Sequence, residues 1–260
     1  MDLGLDGKRA LVTGASRGIG LAVTRKLVAE GVSVVAASRQ SSSELEVLRD
    51  EGVAYFGVDL TSDEGPSDLI ASALKEGPID ILVNNAGAVT PRLEGFMSVT
   101  DDQWWATLTL TFMATVRITK GLLPHMIERG RGNIVNNASV NASLPDPLVI
   151  DYSAAKAALW NFSKALSKEV GRHGIRVNSV SAGPVSTGLW LGDHGVAATV
   201  AAAHGAAPDQ IEDQAVRDTA TGRFTAPEEI ADLIVFLASD RAANITGADY
   251  VIDGGLTQSL

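Results

Sequence analysis

Along the chain, short apolar runs rich in β-branched residues alternate with longer stretches whose apolar positions recur every three or four residues. The short runs are 9–13, 32–37, 54–58, 79–83, 133–137, 175–180 and 250–252. Most lack a strict polar/apolar alternation, which is how strands covered on both faces read. The amphipathic stretches between them, 19–30, 44–50, 67–75, 102–129, 153–172 and 227–239, predict helices. Strand and helix in alternation imply right-handed βαβ crossovers. The expectation is an α/β fold: a doubly wound parallel sheet of about seven strands with helices on both faces. No repeat, low-complexity tract or linker divides the chain, so residues 1–260 read as a single domain.

Residues 187–216 break this rhythm. They are rich in Ala and Gly and carry Trp190, His194, His204 and an acidic patch at Asp209, Glu212 and Asp213. An insertion between a late strand and the last helix reads as a substrate loop or lid. The plainer alternative is a surface connection with no role of its own.

Composition narrows the classes. The net charge of −10 opposes binding to nucleic acid or anionic membrane, both of them polyanions. Without cysteine there is no disulfide framework, thiolate zinc site or catalytic thiol. The four histidines show no ligand spacing, so no metal is expected. The acidic start Met1–Asp6 does not read as a signal peptide, and no apolar run approaches the roughly 18 residues of a membrane helix. These features point to a cytoplasmic protein acting on a small molecule.

The candidate chemistry sits at strand ends. After the first strand, Gly14-x-x-x-Gly18-x-Gly20 runs into a helix, the arrangement that lets a backbone approach a pyrophosphate and offer it free helix amides. The same stretch contains Gly14-x-Ser16-x-Gly18, a hydrolase elbow, for which Asp151 and His173 would be candidate partners. That alternative gives Gly20 no use. The second strand ends at Ser38-Arg39, where an acid would otherwise hold the ribose 2′-hydroxyl of NAD. Arg39 with Arg17 suits a 2′-phosphate instead, favouring NADP(H) over NAD(H). Asp59 could bond an adenine amine, and Asn84-Asn85-Ala86-Gly87 closes a strand where an open α/β sheet binds ligand. Further on come Ser139 and, thirteen residues later, Tyr152 with Lys156 one turn beyond it on the same helix face. An ammonium there is expected to lower the phenol's pKa from its usual value of about 10.

Taken in order, Thr13–Gly20, Asn84–Gly87, Ser139, Tyr152/Lys156, Ile245-Thr246-Gly247 and Val251–Gly255 resemble the short-chain dehydrogenase/reductase family over essentially the whole chain. The resemblance implies a Rossmann-type fold, a nicotinamide cofactor and a homo-oligomer, with a tetramer favoured over a dimer; subunits would pair through helices 102–129 and 153–172, whose extra apolar positions include Leu159, Phe162, Ala165 and Leu166. It implies Tyr152 as acid/base, Lys156 as ribose ligand and tuner of the tyrosine, and Ser139 as the group orienting a carbonyl. The cofactor would be held by Gly14, Ser16, Arg17, Gly18, Ile19, Gly20, Arg39, Asp59, Leu60, Asn85, Ala86, Gly87, Tyr152, Lys156, Val185 and Thr187. Arg39 with Arg17 resembles the NADP-preferring branch.

Two positions depart from the family pattern. Seven residues after Trp104 the family carries a catalytic asparagine, and this chain has Thr111, whose hydroxyl is expected to bond back to the carbonyl of Thr107. Ala182 replaces the proline of the family's Pro-Gly-x-x-x-Thr. The reading is an NADP(H)-dependent carbonyl reductase or alcohol dehydrogenase acting on a modest, partly apolar ketone or secondary alcohol. One alternative is a 3-oxoacyl-thioester reductase, with Arg129, Arg131 and Arg172 as a basic rim for an acidic carrier protein. The other is a dinucleotide-binding sensor or scaffold without turnover.

Overall fold

The apolar runs form seven strands: β1 (Arg9–Thr13), β2 (Ser33–Ser38), β3 (Ala54–Gly57), β4 (Ile81–Asn84), β5 (Gly132–Asn137), β6 (Ile175–Ala182) and β7 (Asp249–Ile252). In the computed structural model, which describes residues 2–258, all pair in parallel in the order β3-β2-β1-β4-β5-β6-β7. The helices between them are α1 (Gly18–Ala29), α2 (Ser43–Asp50), α3 (Gly65–Lys75), α4 (Asp101–Leu108), α5 (Ala114–Glu128), α6 (Ile150–Val170), α7 (Gly188–Leu191), α8 (Val196–His204), α9 (Pro208–Arg217) and α10 (Pro227–Ala238). This is the Rossmann-type doubly wound sheet. Its strand order reverses between β1 and β4, and ligands of such sheets bind in the crevice at that point.

The missing polar alternation has its cause in the two faces. Ala10, Val12, Val34, Ala36, Ile81 and Val83 point into one apolar cluster with Leu27 of α1 and Ile230, Ile234 and Leu237 of α10. Leu11, Val35, Leu82 and Ile134 point into a second, with Leu69 of α3, Ile118 and Leu122 of α5 and Val170 of α6. Each central strand therefore buries both sides, which removes the solvent-facing polar register.

Three expectations need correction. The stretch 102–129 is not one helix: a π turn over Thr109–Met113 separates α4 from α5, with the Ala114 amide donating to the Thr109 carbonyl. A π turn adds one residue without breaking the helical rise, so the apolar period shifts by one position and still reads as continuous. Residues 187–216 contain α7, α8 and α9 rather than plain loop, because Val196, Ala197, Val200 and Ala201 of α8 find a buried face. On α6, Leu159 and Leu166, read as positions for subunit pairing, belong to the core. The exposed apolar residues nearby are Trp160 of α6 and Trp105 of α4.

Candidate functional site

The glycine loop and the amide motif are built against each other. Gly14 has φ +65°, and a Cβ there would stand 2.9 Å from Asn85 Nδ2. A Cβ on Gly20 would stand 2.2 Å from the Gly14 carbonyl oxygen and 2.5 Å from Asn85 Nδ2. Only glycine fits at either position. The Asn85 amide donates to the carbonyls of Thr13 (3.0 Å) and Gly14 (3.2 Å), and its own oxygen accepts from Asn137 Nδ2 at 2.9 Å. The Thr13 hydroxyl accepts from the Asn85 and Ala86 amides. So the Asn85 side chain braces the ends of β1, β4 and β5 from behind, and a ligand in front would meet backbone. Arg17 starts α1 in extended conformation with no side-chain cap, and no acid lies in the first turn. The first amides of α1 are thus available to an anion, so the residues present fit a pyrophosphate.

At the end of β2, Arg17 and Arg39 are both exposed, and neither makes an ion pair among the described residues. Asp59 accepts from the Thr61 amide (2.9 Å) and hydroxyl (2.7 Å), which with the nearby Arg39 charge hold its carboxyl below the usual range. Leu60 points into the core, so only its backbone faces outward. Val185 forms a parallel bridge with Thr225, and the Thr187 methyl would lie 3.2 Å from a Cβ on Gly18. Thr187 therefore comes up against the glycine loop, while the Val185 side chain is buried in the core. Pro184 still anchors this turn despite Ala182, its carbonyl accepting from the Thr225 amide at 3.0 Å.

Ser139 begins a short turn directly after β5, and Tyr152 and Lys156 rise from the first turns of α6. Lys156 Nζ lies 5.6 Å from the Tyr152 ring centroid and donates to the Asn137 carbonyl at 2.6 Å. Burial pushes the Tyr152 phenol up to about 12, against the opposing pull of the neighbouring Ser139 hydroxyl. Burial also pushes Lys156 down to about 8. In the protein alone, burial sets the direction of the tyrosine's shift, upward rather than the expected downward. The phenol keeps its proton at neutral pH, the state a proton donor needs.

Thr111 and Lys156 both approach Gly87. A Cβ on Gly87 would lie 3.9 Å from Lys156 Nζ and equally 3.9 Å from Thr111 Oγ1. The Thr111 hydroxyl is buried and has no partner within the protein, so the expected bond to the Thr107 carbonyl does not form. Thr111 sits within the π turn, where the carbonyls are displaced from their regular helical positions; the Thr107 side-chain hydroxyl, a separate group, donates to Asp151 at 2.7 Å.

Asp151 is buried and ion-paired with Arg92, which removes it from any hydrolase triad. His173 precedes β6, at the opposite end of the sheet from Ser16. Arg129, Arg131 and Arg172 also lie at the amino ends of β5 and β6, Arg129 and Arg131 pairing with Asp80, so they form no rim around the site. Sequence reasoning missed the Asn137 carbonyl, Asn141 (whose amide donates to Ser139 Oγ at 3.2 Å) and the Arg92–Thr107–Asp151 cluster. A backbone acceptor carries no sequence signal. Arg92, from a loop with no periodicity, could have been found only by asking what neutralises an acid beside Tyr152.

A family model described as Enoyl-(Acyl carrier protein) reductase matches residues 14–257. The chain is 34% identical over 265 residues to the gluconate 5-dehydrogenase of Gluconobacter oxydans (strain 621H), covering 98% of this chain and 97% of that protein. It is 34% identical over 259 residues to the 3-oxoacyl-acyl-carrier-protein reductase FabG of Vibrio harveyi, covering 98% and 99%. Among solved structures, the L-sorbose reductase of Gluconobacter frateurii, complexed with NADPH and L-sorbose, matches 100% of both chains with a TM-score of 0.91 and 35% identity.

Proposed function

The chain belongs to the short-chain dehydrogenase/reductase family, and from that premise we propose that it is an NADP(H)-dependent oxidoreductase reducing a ketone carbonyl or oxidising the matching secondary alcohol. The observation that supports this reading is the convergence of the Ser139 hydroxyl, the Tyr152 phenol and the Lys156 ammonium beside the glycine loop, at the carboxyl ends of the strands. When bound, the dinucleotide supplies or accepts the hydride. Ser139 hydrogen-bonds the substrate oxygen and fixes its position. Tyr152 gives that oxygen a proton in reduction and removes it in oxidation. Lys156, held by the Asn137 carbonyl, keeps a positive charge beside the phenol and favours the phenolate left behind.

The preference for NADP(H) has two supports. Arg17 and Arg39 offer guanidinium groups without competing carboxylate partners, and the similar L-sorbose reductase is described with NADPH. Arg39→Ala should cost NADPH a charge-assisted contact of about 1.5–3 kcal/mol and leave NADH binding nearly unchanged. Equal losses for both would remove Arg39 from 2′-phosphate recognition.

Leu93 and Leu144 on the loops leaving β4 and β5, and Leu189 and Leu191 of α7 after β6, are exposed, which favours a partly apolar ketone of modest size. The thioester alternative keeps the support of the family model's description. It loses its basic rim. The reading also includes a cytoplasmic location and a symmetric homotetramer. A turnover screen of ketones, ketoses and secondary alcohols with NADPH and NADP⁺ tests the function, with Tyr152→Phe as its control. The control should lose about 10²–10⁴-fold in kcat while still binding NADPH, and a loss below about tenfold would refute Tyr152 as the proton donor.

A further inference from the structure

Immediately before Tyr152, in the first turn of α6, the Asp151 carboxylate is buried, with only 1% of its side chain exposed. Arg92 comes from the loop between β4 and α4, and its Nε and Nη2 both donate to Asp151 Oδ2, the former at 3.2 Å. The Thr107 hydroxyl of α4 donates to the same oxygen at 2.7 Å, and Arg92 Nη2 also reaches Thr107 Oγ1 at 3.4 Å. The Arg92 backbone amide is fixed as well, donating to the Leu148 carbonyl at 2.7 Å. Oδ1, the other oxygen, is buried without a partner.

One carboxylate oxygen thus gathers three elements: the loop of residues 88–95, helix α4 one turn before Thr111, and the start of the helix that carries Tyr152. Two features set this apart from an ordinary surface pair. Both partners are almost fully buried, so the pair carries a desolvation cost that a surface pair does not. Its endpoint is the residue adjacent to the proposed proton donor, and its other ends are the loop after β4 and the helix turn just before the π turn.

We propose that Arg92, Thr107 and Asp151 form a positioning tether that sets the Tyr152 phenol against the carbonyl oxygen of the substrate, and that Arg92 and Asp151 are positioning residues for the reaction. The inference rests on Tyr152 being the acid/base group of the proposed function. Proton transfer depends steeply on geometry, and a misplacement of about 1 Å can cost on the order of a hundredfold in rate. A tether to the backbone neighbour of Tyr152 acts on the phenol's position and leaves the dinucleotide crevice alone, because none of its members touches the glycine loop.

The test must separate positioning from folding, since removing one partner leaves the other charge buried. The double variant Arg92→Met/Asp151→Leu removes both charges together and keeps apolar volume, so it should fold with a thermal midpoint close to that of the wild type. In it, kcat for ketone reduction should fall about ten- to a hundredfold, with the Kd for NADPH, read by its fluorescence, unchanged. Arg92→Lys retains the charge without the fork and should recover part of the lost kcat. A folded double variant with wild-type kcat would overturn the tether, as would an Arg92→Lys variant no better than the double. A loss appearing only in the NADPH Kd would also overturn it. Tyr152→Phe is measured alongside: if it is as active as the wild type, the acid/base reading fails and takes the tether with it. If it is inactive while the double variant is not, the tether alone fails.

Discussion

Tyr152 and Lys156 are one helical turn apart, yet burial moves their proton affinities in opposite directions, the phenol to about 12 and the ammonium to about 8. This fixes a pH signature. In reduction the lysine must be charged, so kcat should fall as pH rises through about 8. Stability runs the other way. The unfolded lysine holds its proton up to its ordinary value of 10.5 and the native one only to about 8, so in that window the unfolded state binds more protons and this residue's contribution to stability rises with pH. The stability advantage of Lys156→Met over wild type should therefore shrink between those pH values, measured by denaturant melts, while wild-type turnover declines. An advantage that stays constant across the window would show that Lys156 is not depressed. Thr111 is the second test at this scale. Its hydroxyl is buried and unpartnered and, like the lysine, approaches Gly87, so Thr111→Asn, with a longer reach and two donors in place of one, should raise kcat with little change in NADPH affinity. An unchanged kcat in an active enzyme would free proton delivery from that position. The order of Ser139, Tyr152 and Lys156 was legible because each is a distinctive residue at a fixed spacing. The upward direction of the tyrosine's shift was not, because desolvation depends on what packs around the phenol and a sequence shows only which charge is nearby.

At the scale of elements, the strands were legible to within a residue or two, since a strand buried on both faces writes its burial directly into a run of apolar residues. The break between α4 and α5 was hidden, because a π turn preserves the helical period on either side. The segment 187–216 misled for another reason: alanine is small enough to be buried without looking apolar in pattern, and α8 is built on Ala197 and Ala201 beside two valines. This segment is held to the body of the protein by an edge-on contact between Trp190 of α7 and Phe224, with ring centroids 5.7 Å apart. If α7–α9 closes over the substrate, Trp190→Ala should weaken closure by the worth of one aromatic pair. The KM for the ketone should then rise roughly two- to tenfold, with the Kd for NADPH unaffected. Steady-state kinetics with a saturating dinucleotide would show it, and an unchanged KM would return the segment to a surface connection.

For the whole molecule, one sheet with a single strand-order reversal puts the proposed dinucleotide crevice, the proposed acid/base pair and the loops after β4, β5 and β6 at one end, leaving the helices on the flanks free for other contacts. On those flanks Trp105 of α4 is 66% exposed and Trp160 of α6 is 39% exposed. Large apolar side chains standing in water on helices suit a second copy of the same surface, and closed symmetry makes a two-fold contact the simplest way to cover them. The proposed tetramer, which needs a further two-fold contact beyond one such pairing, is the expected species at micromolar concentration by light scattering. Trp105→Asp should shift it toward a smaller species, since it places a charge where apolar contact is needed. Charge complicates the assembly in a checkable way. Each copy carries −10, so bringing copies together accumulates repulsion. Added salt screens that repulsion over a Debye length of about 8 Å at 0.15 M, so raising ionic strength should favour the tetramer if apolar burial holds it. If ion pairs held it instead, salt would drive it apart. A monomer at every ionic strength would leave the two tryptophans without a partner and overturn the assembly.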